Sequence, residues 1–107
     1  MTQEMKMEKK RERLESAVVL LKHLSHPVRL SILCNLLHNG EMGVSQIVDA
    51  ENGAAGQSQI SQFLGKMRSE GLVQFRKEGQ TVFYRIASPQ AEKVVQALYD
   101  IYCSEEC

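Results

Sequence analysis

The sequence predicts one mainly α domain of five helices with a two-stranded β-hairpin that projects as a wing. Three observations carry this prediction: 107 residues suit a single core, apolar residues recur at helical spacing, and two runs rich in Val, Phe and Tyr flank a polar turn. With 43% hydrophobic and 24% charged residues, the composition is that of a globular protein. We expect a charged arm at residues 1–13, the folded domain at 14–103 and a tail at 104–107.

The first two helices meet at a Ser-His-Pro turn. The first helix has an apolar stripe with helical spacing, which consists of Leu14, Ala17, Val18, Leu21 and Leu24. Pro27 disfavours helix in the preceding residue and suits the first position of a new helix, so the second helix begins there and runs to about His38. Its apolar residues cover more than one face, which is typical of a central core helix.

Two further helices precede the hairpin and are separated by a loop. The third covers Val44 to about Glu51, and the Gly-Ala run at 52–56 predicts the loop. The fourth spans Gln57 to Glu70, and Gly71 ends it. Its apolar face consists of Ile60, Leu64 and Met67. Its opposite face carries small and amide-bearing side chains, namely Ser58, Ser61, Gln62 and Gly65.

The hairpin and a last helix complete the domain. The runs 72–76 and 81–86 predict two strands, and residues 77–80 predict the turn between them. The last helix starts at Ser88-Pro89, where serine is a candidate N-cap and proline suits the first helical position. No later element covers its apolar stripe, which consists of Ala91, Val94, Val95, Leu98, Tyr99 and Tyr102.

Charge is distributed unevenly along a chain whose formal net charge is zero. Residues 57–85 carry five basic and two acidic side chains, and residues 1–13 carry five basic and three acidic ones. A neutral chain with a basic face remains a candidate for nucleic-acid binding, because local potential steers association with phosphates. The longest uncharged stretch has only 14 residues and no apolar leader is visible, so we expect a cytoplasmic protein without a membrane partner.

The order of the elements, with a polar face on the fourth helix, is that of a winged helix-turn-helix. A helix that enters the major groove needs short hydrogen-bonding side chains towards base edges and basic groups near phosphates. The candidates on the fourth helix are Gln57, Ser58, Gln59, Ser61, Gln62, Lys66 and Arg68. The candidates on the wing are Arg76, Lys77, Gln80 and Arg85. A solvated helix beside an ordinary charged hairpin is the alternative interpretation.

Three motifs in the same order resemble the ArsR/SmtB family of repressors. They are a Ser-His-Pro signature at His23–Leu33, a recognition-helix motif at Ser58–Leu64, and a wing at Glu70–Val73 and Val82–Ile86. The resemblance covers about residues 14–103 and implies a homodimer that binds a partly palindromic double-stranded operator and represses until an inducer arrives.

The resemblance also implies that the first and last helices join the two copies of the dimer. The uncovered stripe of the last helix agrees, because a two-fold partner is its simplest cover. The candidate interface residues are Leu14, Val18, Leu21, Val95, Leu98, Tyr99 and Tyr102. Alternatively, Tyr99 and Tyr102 pack on the second helix of the same chain.

The metal sites of the family do not match this chain. Where metal sensors place a Cys pair, this chain has Glu41-Met42-Gly43-Val44, and the last helix contains no His for a zinc site. His26 belongs to the Ser-His-Pro turn, and the other histidines lie at 23 and 38. We therefore expect no metal and no cofactor. No Ser-His-acid arrangement and no Gly-rich phosphate loop is visible, so we do not expect an enzyme.

Cys34 and Cys103 resemble the cysteine pair of the thiol-sensing branch of the family, the HlyU and BigR type, which responds to persulfides or oxidants. The resemblance implies that a disulfide or polysulfide between them shifts the last helix and changes the distance between the two recognition helices. Alternatively, Cys34 is a small buried apolar residue. Cys107 in the tail is a candidate spare or resolving thiol.

Two other functions stay open at this point. One is a repressor that senses a thiophilic metal or metalloid through Cys34, Cys103 and Cys107. The other is a dimeric protein-interaction module whose polar helix has lost DNA binding.

Overall fold

Residues 3–103 are described by the computed structural model, with side chains from residue 6 onward. They form five helices and three strands in chain order: α1 (Gln3–Leu24), α2 (Pro27–Asn39), β1 (Met42–Gly43), α3 (Val44–Glu51), α4 (Gln57–Ser69), β2 (Val73–Glu78), β3 (Thr81–Ile86) and α5 (Pro89–Tyr102). The strands make one antiparallel sheet in the order β1-β3-β2. The helices and the hairpin of β2 and β3 follow the order predicted from the sequence.

The prediction of a two-stranded sheet is corrected by the short strand β1. It pairs with β3 through Met42 opposite Tyr84 and Gly43 opposite Phe83. Two residues are too few to show the alternation of a strand, and their pairing exists only because β3 lies alongside. β1 therefore ties the connection between α2 and α3 to the wing.

α1 is longer than its apolar stripe, because the charged segment ahead of Leu14 is also helical. Residues 6–19 are exposed, whereas Leu20 and Leu24 pack against the core. The chain bends by 99° between α1 and α2. Within residues 3–103 no single helix has the length and apolar character to cross a membrane, and only this bent pair meets those criteria together.

The core is built around α2. Ile32, Leu33 and Leu36 are at most 1% exposed. The same cluster contains fully buried residues from the other elements, namely Ile47, Ile60, Leu64, Met67, Val73, Ala91 and Val95. These contacts confirm α2 as the central helix. Val95 is covered by its own chain, which corrects its assignment to the dimer interface.

The first turn of α2 holds α4 at two points. His26 caps α2, since its Nδ1 accepts a hydrogen bond from the N–H of Val28 at 3.2 Å. The His26 ring also packs on Phe63 of α4, with 4.7 Å between ring centroids. Arg29, which is buried, donates a hydrogen bond to Glu70, the residue that ends α4. The Ser-His-Pro turn thus fixes the position of the helix that carries the polar face.

Candidate functional site

The polar face of α4 is exposed along the length of the helix. Its apolar face is fully buried, because Ile60, Leu64 and Met67 point into the core. All seven candidates for DNA contact on this helix are exposed: Gln57, Ser58, Gln59, Ser61, Gln62, Lys66 and Arg68. A helix of 13 residues is about 20 Å long, which suits the major groove. The helix therefore presents hydrogen-bonding groups to solvent without disturbing the core.

Arg68 has a structural contact that the sequence did not indicate. Its guanidinium carbon lies 4.1 Å from the centroid of the Phe75 ring on β2. This cation–π contact joins the last turn of α4 to the wing. Arg68 therefore helps to fix the angle between α4 and the wing.

Arg76 on β2 is engaged by carboxylates on the surface of the protein. It donates to Glu41 from Nε at 2.9 Å and from Nη2 at 2.6 Å, and to Glu78 from Nη1 at 2.7 Å. Its guanidinium also lies over the Phe83 ring, at 4.7 Å. The hydrogen bonds from Arg76 hold the pKa of Glu41 below its usual range. The charge of this DNA-contact candidate is thus compensated by Glu41, a residue that no sequence motif marked.

The tip of the wing carries the other basic and polar candidates. Lys77 is exposed near the end of β2, and Gln80 is exposed in the tight turn that follows, in which Gly79 adopts a φ of +62°. The side-chain amide of Gln74 is assigned with its oxygen towards Arg85. This oxygen accepts two hydrogen bonds from the Arg85 guanidinium, at 2.7 and 2.8 Å. Lys77 is therefore a wing cation for which the structure gives no carboxylate partner among the described residues.

The two candidate sensing cysteines lie on packed helices. Cys34 is in α2, Cys103 ends α5, and both thiols are free and partly buried. Burial raises the pKa of Cys34 above its ordinary value of 9.0, and the charges of Cys103 and then Glu51 raise it further. The helices α2 and α5 contact each other through the rings of His38 and Tyr99, each four residues from one of these cysteines.

Glu51, at the end of α3, is a buried carboxylate beside Cys34. It is 6% exposed and accepts hydrogen bonds from the Ser31 hydroxyl at 2.9 Å and the Asn35 amide at 2.8 Å. These donors lie three residues before and one residue after Cys34 on α2. Glu51 therefore links the segment around Cys34 to the helix that precedes α4. A single Glu in a short helix has no pattern by which the sequence could reveal this role.

α1 and α5 expose large apolar side chains. They are Met7, Leu14, Val18, Val19, Leu21, Ile101 and Tyr102, and Tyr102 is 74% exposed. Leu98 and Tyr99 are half-buried, and the Tyr99 ring meets the His38 ring of α2 at 4.1 Å. Tyr99 therefore contacts α2, as the alternative interpretation expected, whereas Tyr102 remains exposed. Ile101 is an exposed apolar residue that the predicted interface omitted.

No group of three or more His, Cys, Asp or Glu side chains within residues 3–103 is arranged to hold a metal ion. Cys107 lies outside the described residues, so the three-cysteine metal site stays untested.

Comparison with known proteins identifies several transcriptional regulators as relatives. No model of a known protein family matches the chain. The biofilm growth-associated repressor of Xylella fastidiosa is 41% identical over 87 residues, which are 81% of this chain and 74% of that protein. The transcriptional activator HlyU of Vibrio cholerae is 42% identical over 87 residues, which are 81% of this chain and 78% of that protein.

Solved structures of such regulators have the same fold. Reduced HlyU from Vibrio cholerae matches with a TM-score of 0.81 and 38% identity, over 90% of this chain and 98% of that chain. The repressor BigR from Xylella fastidiosa matches with a TM-score of 0.80 and 38% identity, over 94% and 97% of the two chains. With this identity over most of its length and the same arrangement of helices and wing, the chain belongs to the ArsR/SmtB family of winged helix-turn-helix transcriptional regulators, in the group that includes HlyU and BigR.

Proposed function

We propose that this protein is a dimeric transcriptional repressor whose operator affinity is switched by dithiol chemistry at Cys34 and Cys103. The observation that carries the proposal is that two free, partly buried thiols lie on helices that pack against each other, since His38 and Tyr99, each four residues from one of the cysteines, are in ring contact. A disulfide between them requires Cα atoms roughly 4.4–6.8 Å apart, and a polysulfide link spans a longer separation. A regulator of this kind works in the cytoplasm, where its operator is.

Operator binding rests on the exposed polar face of α4. Amide and hydroxyl side chains at Gln59, Ser61 and Gln62 suit the edges of bases in the major groove. Lys66 on the helix and Lys77 on the wing suit phosphates, which add affinity without sequence preference. The wing then lies along the DNA backbone beside the groove that α4 occupies.

Dimerisation rests on the apolar side chains that α1 and α5 expose. A second copy of the chain, related by a two-fold axis, would cover both faces at once. A dimer also places two α4 helices at a fixed separation, so that they reach half-sites about one helical turn apart or a multiple of it. The position of α5 therefore affects the fit of both helices to the operator.

The switch that we propose consumes a small-molecule persulfide. One protein thiolate attacks the outer sulfur of the persulfide, which releases the parent thiol and leaves a persulfide on the protein. The other protein thiolate attacks the cysteine sulfur of that group, forms the Cys34–Cys103 disulfide and releases hydrogen sulfide. The protein loses two electrons and two protons, and the persulfide is reduced to a thiol and hydrogen sulfide. Repeated transfer before closure gives a longer polysulfide link.

Linking the thiols pulls the end of α5 against α2. Because α5 carries part of the proposed dimer face, a local shift changes the separation of the two α4 helices. Glu51 offers a second connection, since it joins the Cys34 segment of α2 to α3 through Ser31 and Asn35. After the thiols are linked, operator affinity falls because α5 shifts the dimer face and because Glu51 transmits the movement of α2 to α3.

The test is operator binding by the full chain with its thiols reduced, treated with glutathione persulfide, or loaded with Zn²⁺ or arsenite. We expect release only with the persulfide, together with a Cys34–Cys103 link in the mass spectrum. Cys34→Ser and Cys103→Ser should stay bound after treatment, and the matched control Cys107→Ser should be released like the wild type. Release of Cys34→Ser by the persulfide, or release by metal alone, would overturn the dithiol switch. Absence of operator binding in the reduced state would favour the protein-interaction module.

A further inference from the structure

A ring contact between α2 and α5 lies next to the cysteine pair. The rings of His38 and Tyr99 meet edge to face, with 4.1 Å between their centroids and 65° between their planes. Neither residue belongs to the chemistry proposed above. The contact nevertheless joins the same two helices that carry Cys34 and Cys103.

The spacing along each helix aligns this contact with the thiols. His38 follows Cys34 by four residues, and Tyr99 precedes Cys103 by four residues. Residues four apart lie on the same side of a helix, one turn from each other. The ring contact therefore lies one helical turn from each cysteine, on the sides of α2 and α5 that carry Cys34 and Cys103.

Tyr99 contacts α2 one turn before Cys103, near the end of α5. Val95, one turn earlier, is fully buried in the core, whereas Ile101 and Tyr102 are 70% and 74% exposed. The N–H of Cys103 also donates to the carbonyl oxygen of Tyr99 at 2.8 Å. The position of Cys103 thus depends on Tyr99 through both its backbone and its ring.

We propose that His38 and Tyr99 are positioning residues that hold Cys103 opposite Cys34 and thereby set the rate at which the two thiols are linked. The inference rests on the proposed dithiol function. It concerns only the second chemical step, in which one cysteine attacks the persulfide on the other, because that step alone requires the two sulfur atoms to meet. The first step depends on access of the small molecule to one thiol.

The experiment separates these two steps in the full-length protein. Rapid-quench mass spectrometry after addition of glutathione persulfide follows the persulfidated chain and the linked chain with time. In His38→Ala we expect the first step at the wild-type rate, a second step slower by about two- to tenfold, and accumulation of the persulfidated chain, as loss of one aromatic contact implies. Because His38 is exposed, this variant should fold like the wild type.

His38→Phe is the matched control, because it keeps a ring against Tyr99 and removes the imidazole. It should link at nearly the wild-type rate. Tyr99→Ala should slow the second step to a similar extent, and the double variant with His38→Ala should be little slower than either single variant, since the two residues form one contact.

Each outcome bears on one of the two proposals. Equal linking rates in the wild type and His38→Ala, or an equal fall in both steps, would overturn the positioning role. Slower linking in His38→Ala would support the positioning role. If the linked wild-type protein nevertheless still bound the operator, the switch would be refuted. A wild-type chain that is persulfidated but never linked would refute both.

Discussion

Arg29 of α2 forms an ion pair with Glu70, the C-cap residue of α4. The second carboxylate oxygen of Glu70 lies 3.3 Å from Nε2 of His23, at the end of α1. A single carboxylate therefore holds the ends of α1 and α4 against the first turn of α2. Nε of Arg29 is buried without a hydrogen-bond partner, so the positive charge of this guanidinium depends on Glu70 for compensation.

Glu70→Ala should strongly destabilise the protein. The substitution leaves the buried Arg29 charge without its partner, and breaking such a pair typically costs about 3–5 kcal/mol. Urea unfolding of the reduced protein measures the change in the free energy of unfolding. Glu92→Ala, on the exposed side of α5, is the control and should have little effect. A Glu70→Ala protein as stable as the control would contradict the role given to this ion pair.

Gln59→Ala and Ser61→Ala should reduce discrimination between operator and random DNA. Each lost base contact typically costs about 1–3 kcal/mol of discrimination, whereas Lys77→Ala should weaken binding to both DNAs and reduce the salt slope by about one. Fluorescence anisotropy with operator and random duplexes at several salt concentrations gives both quantities. If the Gln59 and Ser61 variants discriminate as the wild type does, the polar face of α4 does not read the bases.

Glu41→Gln should strengthen binding to random DNA. Glu41 compensates Arg76 in the free protein together with Glu78, so neutralising Glu41 makes this surface more positive by one charge and should increase the salt slope by about one. Arg76→Gln should weaken binding to random DNA less in the wild-type background than in the Glu41→Gln background. Equal effects of Arg76→Gln in the two backgrounds would show that the ion pair does not mask the arginine.

Leu21→Glu should give a monomer without operator affinity. Leu21 is 53% exposed, so the added charge disturbs a partner's surface rather than the chain's own core. Leu98→Glu tests the part of the proposed dimer interface that lies on α5. Because Leu98 is half-buried, this variant also needs a measurement of its stability. Analytical ultracentrifugation at micromolar concentration gives the assembly state, with Lys22→Glu as the exposed control. A monomeric wild type would refute the proposed dimer.

Alkylation of Cys34 should be slow at neutral pH and should accelerate as the pH rises past 9.0. Burial raises the pKa of this thiol, so the reactive thiolate is scarce in the folded protein. The unfolded chain loses this proton at lower pH, so the free energy of unfolding should decrease as the pH rises through 9.0, and Cys34→Ser should lessen that decrease. Mass spectrometry after pulses of iodoacetamide follows the reaction. Rapid alkylation well below the ordinary thiol range of about pH 8–9 would contradict the raised pKa.

The sequence predicts α2, α4 and α5 well because each has an apolar stripe and a recognisable end. Ser88, for example, caps α5 by accepting from the N–H of Ala91 at 3.0 Å, as the Ser-Pro pair indicates. The contacts of charged side chains are not predictable in this way. Arg76 is an ordinary wing arginine in the sequence, and only the fold brings Glu41, 35 residues earlier, into contact with it. The burial of Val95 likewise depends on how closely α5 approaches α2.

Within residues 3–103, the sheet order β1-β3-β2 leaves β2 as an outer strand with its far side unpaired. Unpaired strand edges readily add strands from other molecules, and proteins commonly protect them with charged side chains. The end of β2 carries three consecutive charged residues, Arg76, Lys77 and Glu78. The exposed edge of the hairpin is therefore protected from serving as a template for aggregation between chains.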